Sequence, residues 1–212
     1  MISDSIQKKR DFLFALFVSF MVMVNLLGSK ITSVAGIRVS VGIFFMPVLF
    51  LITDIIGDVL GKKEADRIVN ISVLMLVLLF AMTFLCISVK PDNGYSLNKQ
   101  YRTIFGSSLR MTLASLISFI ISQKADVMFF SFWKKATKGK HLWIRNNLST
   151  ICSQFLDTVI FEFTAFYKLT EQYTIGFVFS LILPYWIFKV ILALLDTPLC
   201  YLGVKWLRSS EA

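Results

Sequence analysis

Apolar runs long enough to cross a bilayer recur along nearly the whole of this sequence. Crossing about 30 Å of hydrocarbon takes roughly 20 residues of helix, and the stretches 11–28, 40–60, 68–89, 110–133, 146–168 and 174–206 meet that need. The last is long enough to be tilted, kinked at Pro184 or extended beyond the bilayer. Because hydrocarbon offers no partner to a backbone N–H or C=O, each segment must satisfy its own as a helix. The expectation is an all-α, polytopic integral membrane protein of about six transmembrane helices in one bundle. It forms a single domain over 1–212, with a short N-terminal segment 1–10 and a short tail 207–212.

Of the 212 residues, 56% are hydrophobic, and the mean hydropathy is +0.72; soluble domains run about 45–50% apolar. A net charge of +9 would suit a nucleic-acid partner, but most Lys and Arg lie in short connections between apolar runs, where they set orientation instead. With a cytoplasmic N-terminus, thirteen fall on the cytoplasmic side (Lys8, Lys9, Arg10, Lys62, Lys63, Arg67, Lys134, Lys135, Lys138, Lys140, Arg145, Lys205, Arg208) and seven on the other (Lys30, Arg38, Lys90, Lys99, Arg102, Arg110, Lys168). Only Lys124 and Lys189 remain inside spans. This asymmetry places both termini in the cytoplasm of a multi-pass protein of the cytoplasmic (inner) membrane.

The first apolar run follows Gln7-Lys8-Lys9-Arg10 as in a signal peptide, yet Leu26-Leu27-Gly28 is a poor cleavage site and further spans follow, so it reads as a retained first helix. Cys86, Cys152 and Cys200 are odd in number and sit within apolar runs, which implies no disulfide framework. The connection 90–109 opens with the turn formers Pro91-Asp92-Asn93-Gly94 and then spaces Tyr101, Ile104 and Phe105 as a short interfacial helix or a plain solvated loop.

A charge at the bilayer centre costs roughly 2.5–3.5 kcal/mol on insertion scales, so intramembrane charges face the bundle interior and mark function. Asp54, Lys124, Asp126, Asp157, Glu162, Lys189 and Asp196 are such residues, with Asp58 nearer an end. At about 100° per residue, Pro47, Asp54 and Asp58 share one face of the second span, and Ser115, Ser118, Ser122 and Asp126 one face of the fourth. The fifth aligns Asn146, Thr150, Ser153, Gln154, Asp157, Phe161, Thr164 and Lys168; the sixth aligns Tyr185, Lys189, Asp196, Cys200 and Gly203. Four helices can thus converge on a polar centre. Glu162 and Lys124 point away from their stripes and carry little functional weight, as snorkelling or locally paired side chains.

Ser122-Gln123-x-x-Asp126-x-x-x-Phe130 in the fourth span recurs as Ser153-Gln154-x-x-Asp157-x-x-x-Phe161 in the fifth, 31 residues later. Neighbouring spans run in opposite directions, so equivalent sites on them are related by a pseudo-two-fold axis in the membrane plane, as in many transporters. Serine, asparagine and glutamine on such faces serve as interhelical glue, worth about 0.6 kcal/mol each. Glue does not need an ionisable group, so Asp126 and Asp157 are the stronger candidates for a ligand or proton site. Lys189 pairs with Asp196 or with a carboxylate on a neighbouring helix. The single histidine, His141, stands in a basic loop; no HExxH, Cys/His cluster or phosphate-binding glycine loop occurs. Metal hydrolysis and autonomous ATP hydrolysis are disfavoured, and no metal or cofactor is expected. Among the aromatics, Phe130, Phe161 and Tyr185 lie on polar faces where they could stack a planar ligand.

From Asn25 onward the chain resembles the queuosine precursor transporters, of the vitamin-uptake-transporter type. The resemblance rests on Asn25-Leu26-Leu27-Gly28-Ser29-Lys30, on Pro47 with Thr53-Asp54-x-x-x-Asp58-Val59-x-Gly61, and on Arg110-x-x-x-Ala114-Ser115 leading to Ser122-Gln123-x-x-Asp126. It continues in Leu142-Trp143-x-Arg145-Asn146-Asn147-x-Ser149-Thr150, Gln154-x-x-Asp157-Thr158, Phe188-Lys189 and Thr197-Pro198-Leu199-x-Tyr201. The family's second helix commonly reads Ser-Glu-Val-Tyr-Gly where this chain has Gly57-Asp58-Val59-Leu60-Gly61, a carboxylate one methylene shorter.

The resemblance implies import of a 7-deazaguanine, either a queuosine precursor base or queuine, for transfer-RNA modification, by a transporter that is not an enzyme. It implies substrate contacts at Asn25, Asp54, Asp58, Gln123, Asp126, Gln154 and Asp157, with Lys30, Arg110, Arg145, Asn146, Thr158 and Lys189 supporting or coupling. Such a base offers an N–H and amino edge to a carboxylate, a carbonyl to amide donors and a flat face to aromatics. The expected partners are this small molecule and the lipid bilayer, with no nucleic acid. A secondary carrier is the leading function. The alternatives are a substrate-binding membrane subunit served by a separate ATPase module, an importer of another planar vitamin-like compound, or, less favoured, a membrane aspartic protease. Oligomeric state is open.

Overall fold

The computed structural model describes residues 4–34, 36–137, 142–195 and 197–209, with side chains described except at 134, 142–147, 192–195 and 197. His141, Lys138, Lys140 and Asp196, and the side chains of Arg145 and Asn146, therefore lie outside what is described.

Seven helices and one short hairpin make up the described chain: α1 (Asp4–Leu27), β1 (Ile31–Val34), β2 (Ile37–Ser40), a 3₁₀ turn (Val41–Phe44), α2 (Met46–Leu60), α3 (Lys62–Ser88), α4 (Asn98–Ala136), α5 (Leu142–Phe166), α6 (Ile175–Leu195) and α7 (Thr197–Arg208). The fold is that of an all-α polytopic membrane protein. Among the described residues, four helical stretches are long and apolar enough to cross a bilayer: Asp4–Leu27, Val41–Leu60, Lys62–Ser88 and Asn98–Trp133. In α3, Leu74, Val77, Leu78, Met82, Phe84 and Leu85 are all exposed, a surface suited to lipid tails rather than water.

Local chemistry sets the breaks between helices. Pro47 in the first turn of α2 fits because that N–H has no intrahelical acceptor. Gly61, at φ 87°, supplies the left-handed turn that folds α3 back on α2. Lys168, at φ 55°, plays the same part after α5, and its N–H donates to Tyr173 O at 3.0 Å. The sixth expected span, 174–206, is covered by α6, which continues through Pro184 to Leu195, and by α7 from Thr197. The expected loop or interfacial helix at 98–109 is the start of the 39-residue α4.

Two apolar clusters form the bundle. One joins α1, α2, α3 and α7 through Leu13, Phe17, Leu49, Ile52, Ile56, Ile68 and Leu207; the other joins α4, α5 and α6 through Met111, Ala114, Ala165, Phe166, Val178 and Leu181. Gly203 of α7 lies so close to Ile55 that any Cβ there would collide with it. The hairpin packs over one end of the bundle. Ser40 Oγ donates to Gly28 O at 2.5 Å, Tyr185 donates to Ser40 O at 3.2 Å, and Val39, Ile43 and Tyr185 form a small buried group.

Candidate functional site

Between the two clusters lies a cavity of about 1130 Å³. Its deep part is lined by Asn25, Ser115, Asp157, Tyr185 and Lys189; towards the turn between α2 and α3 it is lined by Asp54, Asp58, Lys62, Asp66 and Arg208. Phe50, Phe119 and Phe161 supply flat apolar walls. The ends differ: at the hairpin end Val39, Ile43 and Tyr185 are buried, whereas Asp58, Lys62 and Asp66 are exposed.

An ion pair stands in the cavity wall. Lys189 Nζ lies 3.0 Å from Asp157 Oδ2, with the lysine side chain 7% exposed and the aspartate 28%. Lys189 also donates to Thr158 Oγ1 at 3.1 Å. Of the two partners the sequence leaves open for Lys189, the neighbouring-helix carboxylate is present; Asp196 is outside the described residues. Ser122 Oγ donates to the other oxygen of Asp157 at 3.4 Å. Ser153 donates to Asp126 Oδ1 at 3.0 Å, so the two Ser-Gln-x-x-Asp segments exchange hydroxyl-to-carboxylate bonds across the antiparallel α4–α5 contact.

Their surroundings nonetheless differ. Asp157 and Gln123 line the cavity, whereas Asp126 and Gln154 do not. Asp126 is a half-buried tie to α5, and the carbonyl of Gln154 accepts the Thr158 hydroxyl at 2.8 Å. Of the two matched segments, the cavity is lined by Gln123 from the first and Asp157 from the second.

Asn25 is buried at the cavity wall and bonded at both ends of its amide, donating from Nδ2 to Met21 O at 2.9 Å and accepting from Ser115 Oγ at 2.7 Å. It joins α1 to α4, as does Ser108 Oγ, which donates to Leu26 O at 2.7 Å. Asp54 and Gln123 are exposed along the cavity. Asp58 pairs with Arg208 of α7 at 3.0 Å across the mouth, with both side chains more than half exposed. Lys30 and Arg110 are away from the cavity. Lys30 is exposed beside the hairpin. Arg110 donates from Nε to Thr164 O at 2.7 Å and from a terminal nitrogen to Tyr167 O, satisfying carbonyls that the end of α5 leaves open.

One residue was given little weight in the sequence and is central in the structure. Glu162 is completely buried, and neither carboxylate oxygen has a hydrogen-bond partner among the described residues. It interacts electrostatically with Lys189, Asp157 and Tyr185. The signal available was a second helical face, Thr158, Glu162 and Ala165 at i, i+4 and i+7, all buried.

The family model described as "Putative vitamin uptake transporter" matches residues 40–203. The chain belongs to this family. It is 28% identical over 192 residues to the "Probable queuosine precursor transporter" of Bacillus subtilis (strain 168), covering 90% of this chain and 82% of that protein. It is 22% identical over 162 residues to the "Queuosine precursor transporter" of Escherichia coli (strain K12), covering 76% of this chain and 71% of that protein. No solved structure matches. The matched region takes in the second apolar cluster and the cavity wall formed by Asp54, Gln123, Asp157 and Lys189, while Phe17 and Asn25 of α1 and Arg208 of α7 lie outside it. The family is one of transporters, not of enzymes.

Proposed function

We propose that this protein is a secondary carrier that imports a 7-deazaguanine precursor of queuosine across the cytoplasmic membrane, with both termini in the cytoplasm. The observation that carries the reading is the Lys189–Asp157 pair in the cavity wall beside Gln123 and Phe161. A deazaguanine edge presents one carbonyl acceptor next to an N–H and an amino donor. Lys189 donates to the carbonyl, Asp157 accepts from the N–H and amino groups, and Gln123 adds an amide contact. Asp54 serves the opposite wall, and Phe119, Phe161 or Tyr185 covers the ring face. Asp126 and Arg110 hold α4 and α5 in register. With cytoplasmic termini, the packed hairpin closes the outer side and the mouth at Asp58, Lys62 and Arg208 opens inward.

The test is rescue of queuosine-modified transfer RNA in cells that lack their own importer and carry this chain, fed one deazaguanine or queuine at a time. Modification restored by at least one compound supports the reading; no rescue by any, with the protein present in the membrane, contradicts it. A subunit dependent on an ATPase module is the second reading, and it requires binding without uptake by the purified chain.

A further inference from the structure

We infer that Glu162 is the proton-carrying group that couples this carrier to the proton gradient; the inference rests on the carrier reading above. Three observations converge on it. Among the described residues the buried cluster sets one ammonium, Lys189, against two carboxylates, Asp157 and Glu162, and Lys189 is committed to Asp157 and Thr158. Glu162 is completely buried, with no donor to either oxygen among the described residues. A carboxylate anion so placed costs several kcal/mol, so charge balance gives Glu162 a proton while Lys189 stays at Asp157. Finally, Glu162 stands one helical turn from Thr158 on the same face of α5, where side chains i and i+4 adjoin, so the flexible Lys189 stem reaches either level.

The groups around Glu162 leave Lys189 as its cation. Asp157 comes from its own helix, and Tyr185 and Lys189 come from α6. Arg110, the α4 cation that reaches α5, is engaged by the carbonyls of Thr164 and Tyr167.

The cycle follows from competition for one ammonium. Substrate bound across Lys189 and Asp157 fixes the ammonium there, so Glu162 keeps its proton and the loaded site is neutral. When substrate leaves, Lys189 turns to Glu162, the Glu162 O–H bond breaks, and the proton passes into the cavity. The empty site then carries one net negative charge. Substrate and proton therefore enter together, and the returning empty site moves outward, as an inside-negative potential favours.

The experiment compares purified wild type with Glu162→Gln, which imitates the protonated acid. Infrared spectra of substrate-free wild type at mildly acidic pH should contain the carbonyl band of a protonated carboxylic acid that shifts when glutamate alone is isotopically labelled, and the band should fade as the pH is raised. The band should be missing from Glu162→Gln. Above the pH at which that band fades from the empty protein, queuine binding to wild type should take up close to one proton, and its affinity should weaken by up to about tenfold per pH unit there. Glu162→Gln should bind with no proton uptake and exchange substrate without accumulating it. A missing band, a band unchanged in Glu162→Gln, or wild-type binding without proton uptake overturns the assignment. Should wild type bind no deazaguanine, the carrier reading fails on its own, and the labelled band still decides whether Glu162 holds the proton. An unchanged melting temperature excludes misfolding of the variant.

Discussion

The hydroxyl of Ser122 donates to Asp157 across the α4–α5 contact at 3.4 Å, and the equivalent bond in the repeated segment runs back from Ser153 to Asp126 at 3.0 Å. Two chemically matched aspartates thus receive matched hydroxyls, yet one faces the cavity with a lysine beside it and the other does not. Sequence similarity between the segments records how the helix pair is held together; the surrounding helices decide which copy can meet a ligand.

Asp157→Asn and Asp126→Asn should therefore behave differently. Loss of a charge-assisted contact costs about 1.5–3 kcal/mol, so Asp157→Asn should weaken queuine binding by roughly ten- to hundredfold. Asp126→Asn keeps an acceptor for Ser153 and should change affinity less than about threefold, in line with the ~0.6 kcal/mol of an interhelical hydrogen bond. Equilibrium binding to both purified variants, with melting temperatures recorded alongside, checks this.

Removing the ammonium should destabilise the bundle more than removing the whole pair. Breaking a buried ion pair by deleting one partner costs about 3–5 kcal/mol, and the 28% exposure of the Asp157 side chain favours the lower end. Lys189→Met should lower the melting temperature, and Lys189→Met combined with Asp157→Asn should recover most of the loss. A double-mutant cycle in one detergent measures the coupling.

Arg110 bridges α4 to the last turn of α5, so its removal should act on stability and leave recognition alone. Arg110→Ala forfeits hydrogen bonds from a charged donor, about 1.5–3 kcal/mol, and a favourable charge at a helix C-terminus. The melting temperature should fall, while the folded protein should bind queuine within about threefold of the parent.

Much of this arrangement was legible in the sequence, for identifiable reasons. The helices were visible because apolar runs of that length have no other solution in lipid, and the polar stripes at Asp54, Ser122 and Asp157 were visible because helical periodicity is strict. The hairpin at 31–40 was hidden inside a stretch too short and polar to be a span, bounded by Gly28 and Gly42. Their close packing, with the Gly42 Cβ position 3.5 Å from Gly28 Cα, is a tertiary fact. Glu162 was missed because one stripe was taken as the whole interior face of α5, whereas a helix packed between α4 and α6 buries two. Asp126 carries the same motif as Asp157 but does not line the cavity, and a motif does not report which side of a helix pair opens on one.

The proposed orientation rests on the basic residues and can be tested chemically. In a variant lacking its own cysteines, a single cysteine at exposed position 63 should resist an impermeant thiol reagent added to intact cells, and one at exposed position 93 should react. The reverse pattern would turn the open mouth of the cavity outward.

Uptake of labelled queuine by sealed proteoliposomes containing only the purified chain, under an inward proton gradient and without ATP, tests the central claim most directly. The account predicts intact queuine accumulating in the lumen, collapse of that accumulation by a protonophore, and loss of uptake in Asp157→Asn. Binding to the purified protein with no luminal queuine, gradient or not, would contradict a self-sufficient carrier.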